Sequence, residues 1–222
     1  MGDALFRGAT PLAVRMRPAS LDEVAGQSHL LRPGSPLVAL ADAEKATAGA
    51  VSVILWGPPG TGKTTLAQAI ARTSGRRFVE LSAVTAGVKD VREVMQEAMT
   101  QRDLYGASTI LFLDEIHRFT KAQQDALLPG VENGWVILIA ATTENPSFSV
   151  ISPLLSRSLL LTLQPLTDED LAMLQSTSAL LVGPESDLVV EPAGGSAGDG
   201  PRADEVARAA GAALAYLAGT GA

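Results

Sequence analysis

The chain has 222 residues, a formal charge of −7 and 46% apolar residues, enough for one α/β core with an appendage and too acidic for a broad nucleic-acid-binding face. Its longest apolar runs are strand-sized, well short of the roughly 20 residues of a membrane helix, and its N-terminus lacks the apolar stretch of a signal peptide. There is no cysteine, and the two histidines, His29 and His117, are far apart. Disulfide and thiol chemistry are therefore excluded, a zinc site is disfavoured, and a cytoplasmic location is expected.

Residues 1–50 read as an N-terminal arm followed by a first helix. Ser20-Leu21-Asp22-Glu23 has the Ser-x-x-Glu pattern of a capping box for a short helix that Gly26 ends. By periodicity alone, the preceding Arg15-Met16-Arg17-Pro18 is a surface arm. Ser35-Pro36 supplies an N-cap with proline in the first turn, and the helix is expected to run from Leu37 to Gly49.

Residues 51–165 read as an α/β core. The apolar, β-type segment Val51–Trp56 leads into Gly57-Pro58-Pro59-Gly60-Thr61-Gly62-Lys63-Thr64-Thr65, which satisfies G-x-x-x-x-G-K-[ST] in full, and a good helix former follows. This is the strand, loop and helix context of a phosphate loop. Its glycines let successive amides and a helix N-terminus converge on phosphate oxygens. Lys63 neutralises phosphate charge, the Thr64 hydroxyl is placed for Mg²⁺, and the expected ligand is ATP. A turn that merely joined a strand to a helix would need neither the lysine nor the hydroxyl.

Beyond the loop, the helix through Arg72 should stop at Gly75, with a half-buried strand over Phe78–Ser82. Val91, Val94, Met95, Ala98 and Met99 form one helical stripe, and residues 102–106 are expected to turn the chain back. Thr109–Leu113 is an apolar run ending in Asp114-Glu115, as in a strand buried on both faces whose carboxyl end opens into a crevice. Coming about 50 residues after the loop, Asp114 suits Mg²⁺ and Glu115 suits the attacking water. Thr120-Lys121-Ala122-Gln123 is a capping box for a helix that Pro129 is expected to close. Trp135–Ala141 is the next buried strand, ending in Thr142-Thr143-Glu144-Asn145-Pro146, where hydroxyls could meet a γ-phosphate or serve only as loop chemistry. A short helix carrying Arg157, a last strand over Leu159–Leu163, and a helix capped at Thr167 follow.

The order of these segments resembles the AAA+ ATPases. Within them it is similar to the replication-associated recombination protein A family and the Werner-helicase-interacting ATPases, relatives of clamp loaders. The matches are Arg15-Met16-Arg17-Pro18 with Gly26-Gln27, the loop from Trp56, Ser82–Lys89, Asp114-Glu115-Ile116-His117-Arg118-Phe119, and Ala141–Phe148, within about residues 10–171. The resemblance implies a P-loop NTPase core with a parallel sheet flanked by helices, then a small helical lid. It places Arg17, Pro18 and Val24-Ala25-Gly26 near the adenine, Thr143 at the position that reads the γ-phosphate, and Arg157 as an arginine finger acting on a neighbouring subunit. It gives His117 and Arg118 no chemical role, and a surface position is expected for both.

The resemblance further implies a homo-oligomer that hydrolyses ATP with Mg²⁺, stimulated by DNA at forks or ends and associated with single-strand-binding protein. A subunit of the clamp-loader or Holliday-junction-motor type and a nucleotide-binding module with little turnover are the alternatives. Residues 166–182 read as the start of the lid, 183–202 as a Gly/Pro-rich linker and 203–222 as an Ala-rich helix. On that reading the family pattern stops near the tail, leaving a shortened or rearranged member without its assembly domain.

Overall fold

Three apolar strands, each buried on both sides, form the centre of the molecule. The computed structural model describes residues 16–42 and 51–182. Its strands are β1 (Ser52–Trp56), β2 (Arg77–Ser82), β3 (Thr109–Asp114), β4 (Val136–Thr142) and β5 (Ser158–Thr162), and they pair in the order β2-β3-β4-β1-β5. Every pairing is parallel. A parallel pair needs a crossover, and the crossovers here place helices on both faces. These are α1 (Pro36–Ala41), α2 (Lys63–Ser74), α3 (Val88–Tyr105), α4 (Lys121–Asp125), α5 (Leu128–Glu132), α6 (Pro146–Ser149), α7 (Ser152–Leu155) and α8 (Asp168–Val182).

Alternate residues of each central strand serve different cores. Val53, Leu55, Ile110, Phe112, Ile139 and Ala141 pack with α1 and α2 on one face. Ile54, Leu111, Leu113, Leu138 and Ala140 pack with Val91, Met95 and Ala98 of α3, and with Leu127 and Leu154, on the other. Phe112 has no exposed surface and stacks on Phe78 with ring centroids 6.1 Å apart. Burial of both faces explains the unbroken apolar runs of β3 and β4, where a half-exposed strand would alternate.

Several local expectations change. Residues 20–23 form one 3₁₀ turn (Leu21–Glu23) in which the Ser20 side chain caps nothing. The Leu21 amide instead donates to Thr73 Oγ1 of α2 at 3.1 Å, and Glu23 accepts from the Ala19 amide at 2.8 Å. Docking on α2 thus replaces the local cap. Helix α1 ends at Ala41, because Asp42 is extended, and residues 43–50 lie outside the described part. Residues 102–105 are the last turn of α3, which stops at left-handed Gly106. Pro129 lies in the first turn of α5 and does not close the preceding helix, a position where its missing amide hydrogen costs nothing. The expected linker and Ala-rich helix after residue 182 also fall outside the described residues.

The end of β1 is tied to the end of β5. Leu163 donates to the Trp56 carbonyl at 2.7 Å, and Gly57 lies against this junction. A Cβ on Gly57 would stand 2.8 Å from the Leu163 carbonyl oxygen, a backbone atom that cannot swing aside. Gly57→Ala is therefore expected to lower unfolding stability by about 1–3 kcal/mol through overpacking, read as a reduced urea midpoint at unchanged slope.

Candidate active site

The parallel register brings the carboxyl ends of β1, β3 and β4 together, and the candidate residues follow from these ends. The loop from Gly57 leaves β1, and α2 begins at Lys63 after left-handed Gly62 (φ +82°). The first amides of α2 have no partner within the helix, and those of Gly60, Thr61 and Gly62 donate to no other backbone group among the described residues. They form a cradle of donors suited to anionic oxygens. Lys63 is 8% exposed, and its Nζ donates to the Gly57 and Pro58 carbonyls at 3.0 and 2.8 Å. Burial lowers its pKa, opposed by the negative charges of Asp114 and Glu115. Thr64 lies in the first turn of α2.

Asp114 ends β3. Burial and the adjacent Glu115 carboxylate raise its pKa, while the Glu115 amide, which donates to Oδ1 at 3.1 Å, and the charge of Lys63 oppose this. Glu115 has a left-handed backbone (φ +58°, ψ +44°), uncommon for a residue with a Cβ. That conformation ends the strand abruptly and starts the 3₁₀ turn Ile116–Arg118. Arg118 is exposed, with Nε 3.4 Å from Glu115 Oε2.

His117 is not at the surface. Its side chain is 9% exposed, with Nε2 3.0 Å from Glu115 Oε2 and Nδ1 3.1 Å from Thr142 Oγ1. Thr142 is fully buried at the end of β4, and its carbonyl accepts from the Gly57 amide at 3.3 Å. Thr143, the expected γ-phosphate reader, is the next residue along this edge and is half-buried.

An apolar cleft opens beside the loop, walled by Met16, Pro18, Val24 and Ala25 of the arm, by Leu166 and by Leu174 of α8, with Gly60, Thr61, Gly62 and Thr65 as its floor. Pro18 thus lines the cleft beside the loop. Arg17 does not, because its side chain lines a separate hollow with Arg72, Arg76 and Glu80. Gln27 holds the wall together. It is 6% exposed, has φ +55°, and its amide nitrogen donates to the Gln164 carbonyl at 2.7 Å and the Thr61 carbonyl at 3.3 Å. Its amide oxygen accepts from the Gln164 amide at 3.0 Å.

Arg157 lies at the other edge of the sheet. It precedes Ser158, which pairs with Ser52 at the start of β1, whereas the loop follows Trp56, paired with Thr162. Four strand steps, about 13 Å, separate these edges, so Arg157 cannot reach its own chain's loop. Its guanidinium pairs with Glu132 at 2.8 Å and donates to the Pro153 carbonyl at 3.0 Å.

Gln27 and His117 fall within the matching motifs, where the sequence alone gives neither a task. The signal for Gln27 was a lone amide next to a glycine. For His117 it was an imidazole two residues after a catalytic-type carboxylate.

Residues 53–164 match the AAA family, the ATPase family associated with various cellular activities. The chain belongs to this family. An uncharacterized AAA domain-containing protein of Mycobacterium tuberculosis is 55% identical over 217 residues, covering 93% of this chain and 47% of that protein. Replication-associated recombination protein A of Escherichia coli K12 is 52% identical over 161 residues, covering 72% of this chain and 35% of that protein. ATPase WRNIP1 of Dictyostelium discoideum is 48% identical over 164 residues, covering 74% of this chain and 18% of that protein. Among solved structures, the RuvB Holliday junction branch migration motor of Thermotoga maritima matches with a TM-score of 0.59 and 32% identity over 75% of this chain and 55% of that one. The chain spans about half the length, or less, of the curated relatives it matches. Its similarity to the mycobacterial protein covers too much of the chain to stop near residue 171, so the later segment is shared with that relative.

The end of β3 carries a cost for the fold, because Asp114 is half-buried beside a second acid. A carboxyl whose folded pKa lies above its unfolded value takes up a proton on folding between the two. Raising the pH through that interval therefore removes stability. Asp114→Asn is expected to be the more stable protein at neutral pH, with a margin that shrinks on acidification, measured by urea unfolding across the acid range.

Proposed function

We propose that this chain is the ATP-binding and ATP-hydrolysing core of a AAA ATPase working in DNA replication or recombination. The observation that carries this reading is the convergence of Lys63, Asp114 and Glu115 at one sheet edge beside an apolar cleft. The cleft receives the adenine against Pro18 and Val24, and the loop from Gly57 to Thr65 receives the phosphates. Lys63, already desolvated, exchanges its two carbonyl partners for phosphate oxygens. The donor set also fits Mg²⁺, since a hydroxyl and a carboxylate oxygen are the hard ligands it takes. Thr64 and Asp114 would hold the ion, which would supply positive charge to offset that of the phosphates.

Glu115 orients and deprotonates the attacking water, and Thr143 contacts the γ-phosphate. Arg157, barred from its own loop by the sheet register, completes a neighbour's site and stabilises the charge that develops there. That arrangement calls for a homo-oligomer. The relatives named for replication and recombination, and the branch-migration motor among the structural matches, support DNA as the substrate that stimulates turnover. Single-strand-binding protein as a partner rests only on the family resemblance carried by the sequence motifs, and a cytoplasmic location on the absence of cysteine. With a net charge of −7, DNA contact is local or shared between subunits.

The separate roles of Lys63 and Glu115 predict different defects. Lys63→Ala is expected to lose nucleotide binding, while Glu115→Gln binds as before and fails to hydrolyse, seen by comparing nucleotide titration with phosphate release. Parental turnover in Glu115→Gln would remove Glu115 from the mechanism.

Arg157→Ala is expected to lower turnover by about 10³-fold or more with little change in ATP affinity, since a finger acts mainly on the transition state. Mixing Arg157→Ala with Glu115→Gln protein should restore part of the activity through interfaces that pair an intact finger with an intact carboxylate. No recovery in mixed oligomers of verified composition would rule out action across the interface.

A further inference from the structure

We propose that His117 is a positioning residue whose ring links the Thr142 hydroxyl to Glu115 Oε2 and so fixes the carboxylate with Oε1 left for the attacking water. The proposal rests on the role given above to Glu115.

Counting protons fixes the direction of this link. An ionised Glu115 only accepts, so the 3.0 Å contact requires a hydrogen on His117 Nε2. In the neutral ring Nδ1 then accepts, and its partner at 3.1 Å, Thr142 Oγ1, must donate. Thr142 has one proton and two possible acceptors, Nδ1 and the Glu144 carbonyl at 3.2 Å, and it also accepts from the Glu144 amide at 3.1 Å. With the proton given to Nδ1, the bonds run in one direction: Glu144 amide to Thr142 hydroxyl, hydroxyl to ring, ring to Glu115. Bonds aligned head to tail polarise one another.

Three features make the link a positioning device. Arg118 Nε also lies against Oε2, at 3.4 Å, so both contacts fall on the same carboxylate oxygen, and Oε1 accepts no hydrogen bond among the described residues. The left-handed backbone of Glu115 gives its side chain a fixed base. Thr142 also holds the Gly57 amide through its carbonyl, so the phosphate loop and the water-activating carboxylate lean on the same residue. A shift in the turn after β4, where Thr143 meets the γ-phosphate, therefore reaches Glu115 through the ring. The nearby Glu144 carboxylate, 3.9 Å from Nε2, is outside hydrogen-bond range.

Single-turnover hydrolysis with protein in excess tests the proposal. His117→Ala is expected to slow hydrolysis by about 10- to 100-fold, the scale of a misplaced reacting group, with nucleotide affinity unchanged. His117→Gln, whose amide nitrogen occupies the region of Nε2, should recover most of the rate. His117→Asn reaches Thr142 but not Glu115 and should stay slow. Thr142→Val should slow hydrolysis several-fold in the parent and have no further effect in His117→Ala. A residue needed only for folding would not separate Gln from Asn, so equal rates for the two would overturn the proposal.

Nitrogen-15 NMR of the ring gives a readout independent of turnover, with the second histidine removed by His29→Gln. At mildly alkaline pH the proton is expected on Nε2 and the Nδ1 signal should move in Thr142→Val. A proton on Nδ1 would overturn the proposal. Parental turnover in Glu115→Gln would defeat the reading of Glu115 itself. An inactive Glu115→Gln beside a fully active His117→Ala would defeat only the inference drawn here.

Discussion

The parallel register of β1, β3 and β4 governs the chemistry of this protein. Because the three strands run the same way and are buried on both faces, the chain can expose polar groups only where they end. Lys63, Asp114, Glu115 and Thr142 all come from these ends, with no long loop needed to gather them. The same register sends Arg157 to the opposite edge. One geometric rule thus gathers the glycine-rich loop and both acids at one edge and places Arg157 at the other.

The sheet was legible in the sequence because its signal is local. Four consecutive apolar residues before Asp114, and the glycines before Lys63, describe burial and turn chemistry within a few positions. The short elements were less legible, since partners distant in sequence decide them. Ser20 has the right neighbours for a cap, yet the Leu21 amide finds Thr73 on another helix. The same holds at the site. The glycine-rich loop and the paired acids stand out in the sequence, whereas Arg17 lines a neighbouring hollow that no pattern announces. His117 meets a hydroxyl 25 positions away, a relation visible only once β3 and β4 lie side by side.

Among the described residues, the non-glycine positions with positive φ are Gln27 and Glu115. One lines the cleft wall and the other follows the carboxyl end of β3. Left-handed backbone at such residues is disfavoured, and surrounding contacts must hold it. Gln27 is held by Thr61 and Gln164, and Glu115 by His117 and Arg118. The raised pKa of Asp114 and the lowered pKa of Lys63 belong to the same pattern, in which local stability is given up where ligand charge is to be received.

The Gln27 bridge also bears on how the protein reaches its native state. It joins positions 137 residues apart, and a closure of that span waits until the intervening sheet has assembled. The cleft is therefore among the last parts to form, and a partly folded chain with its early strands in place lacks this wall. Nucleotide recognises only the finished molecule. Its concentration should then act as a thermodynamic pull on folding, rising with the logarithm of free ligand above the dissociation constant.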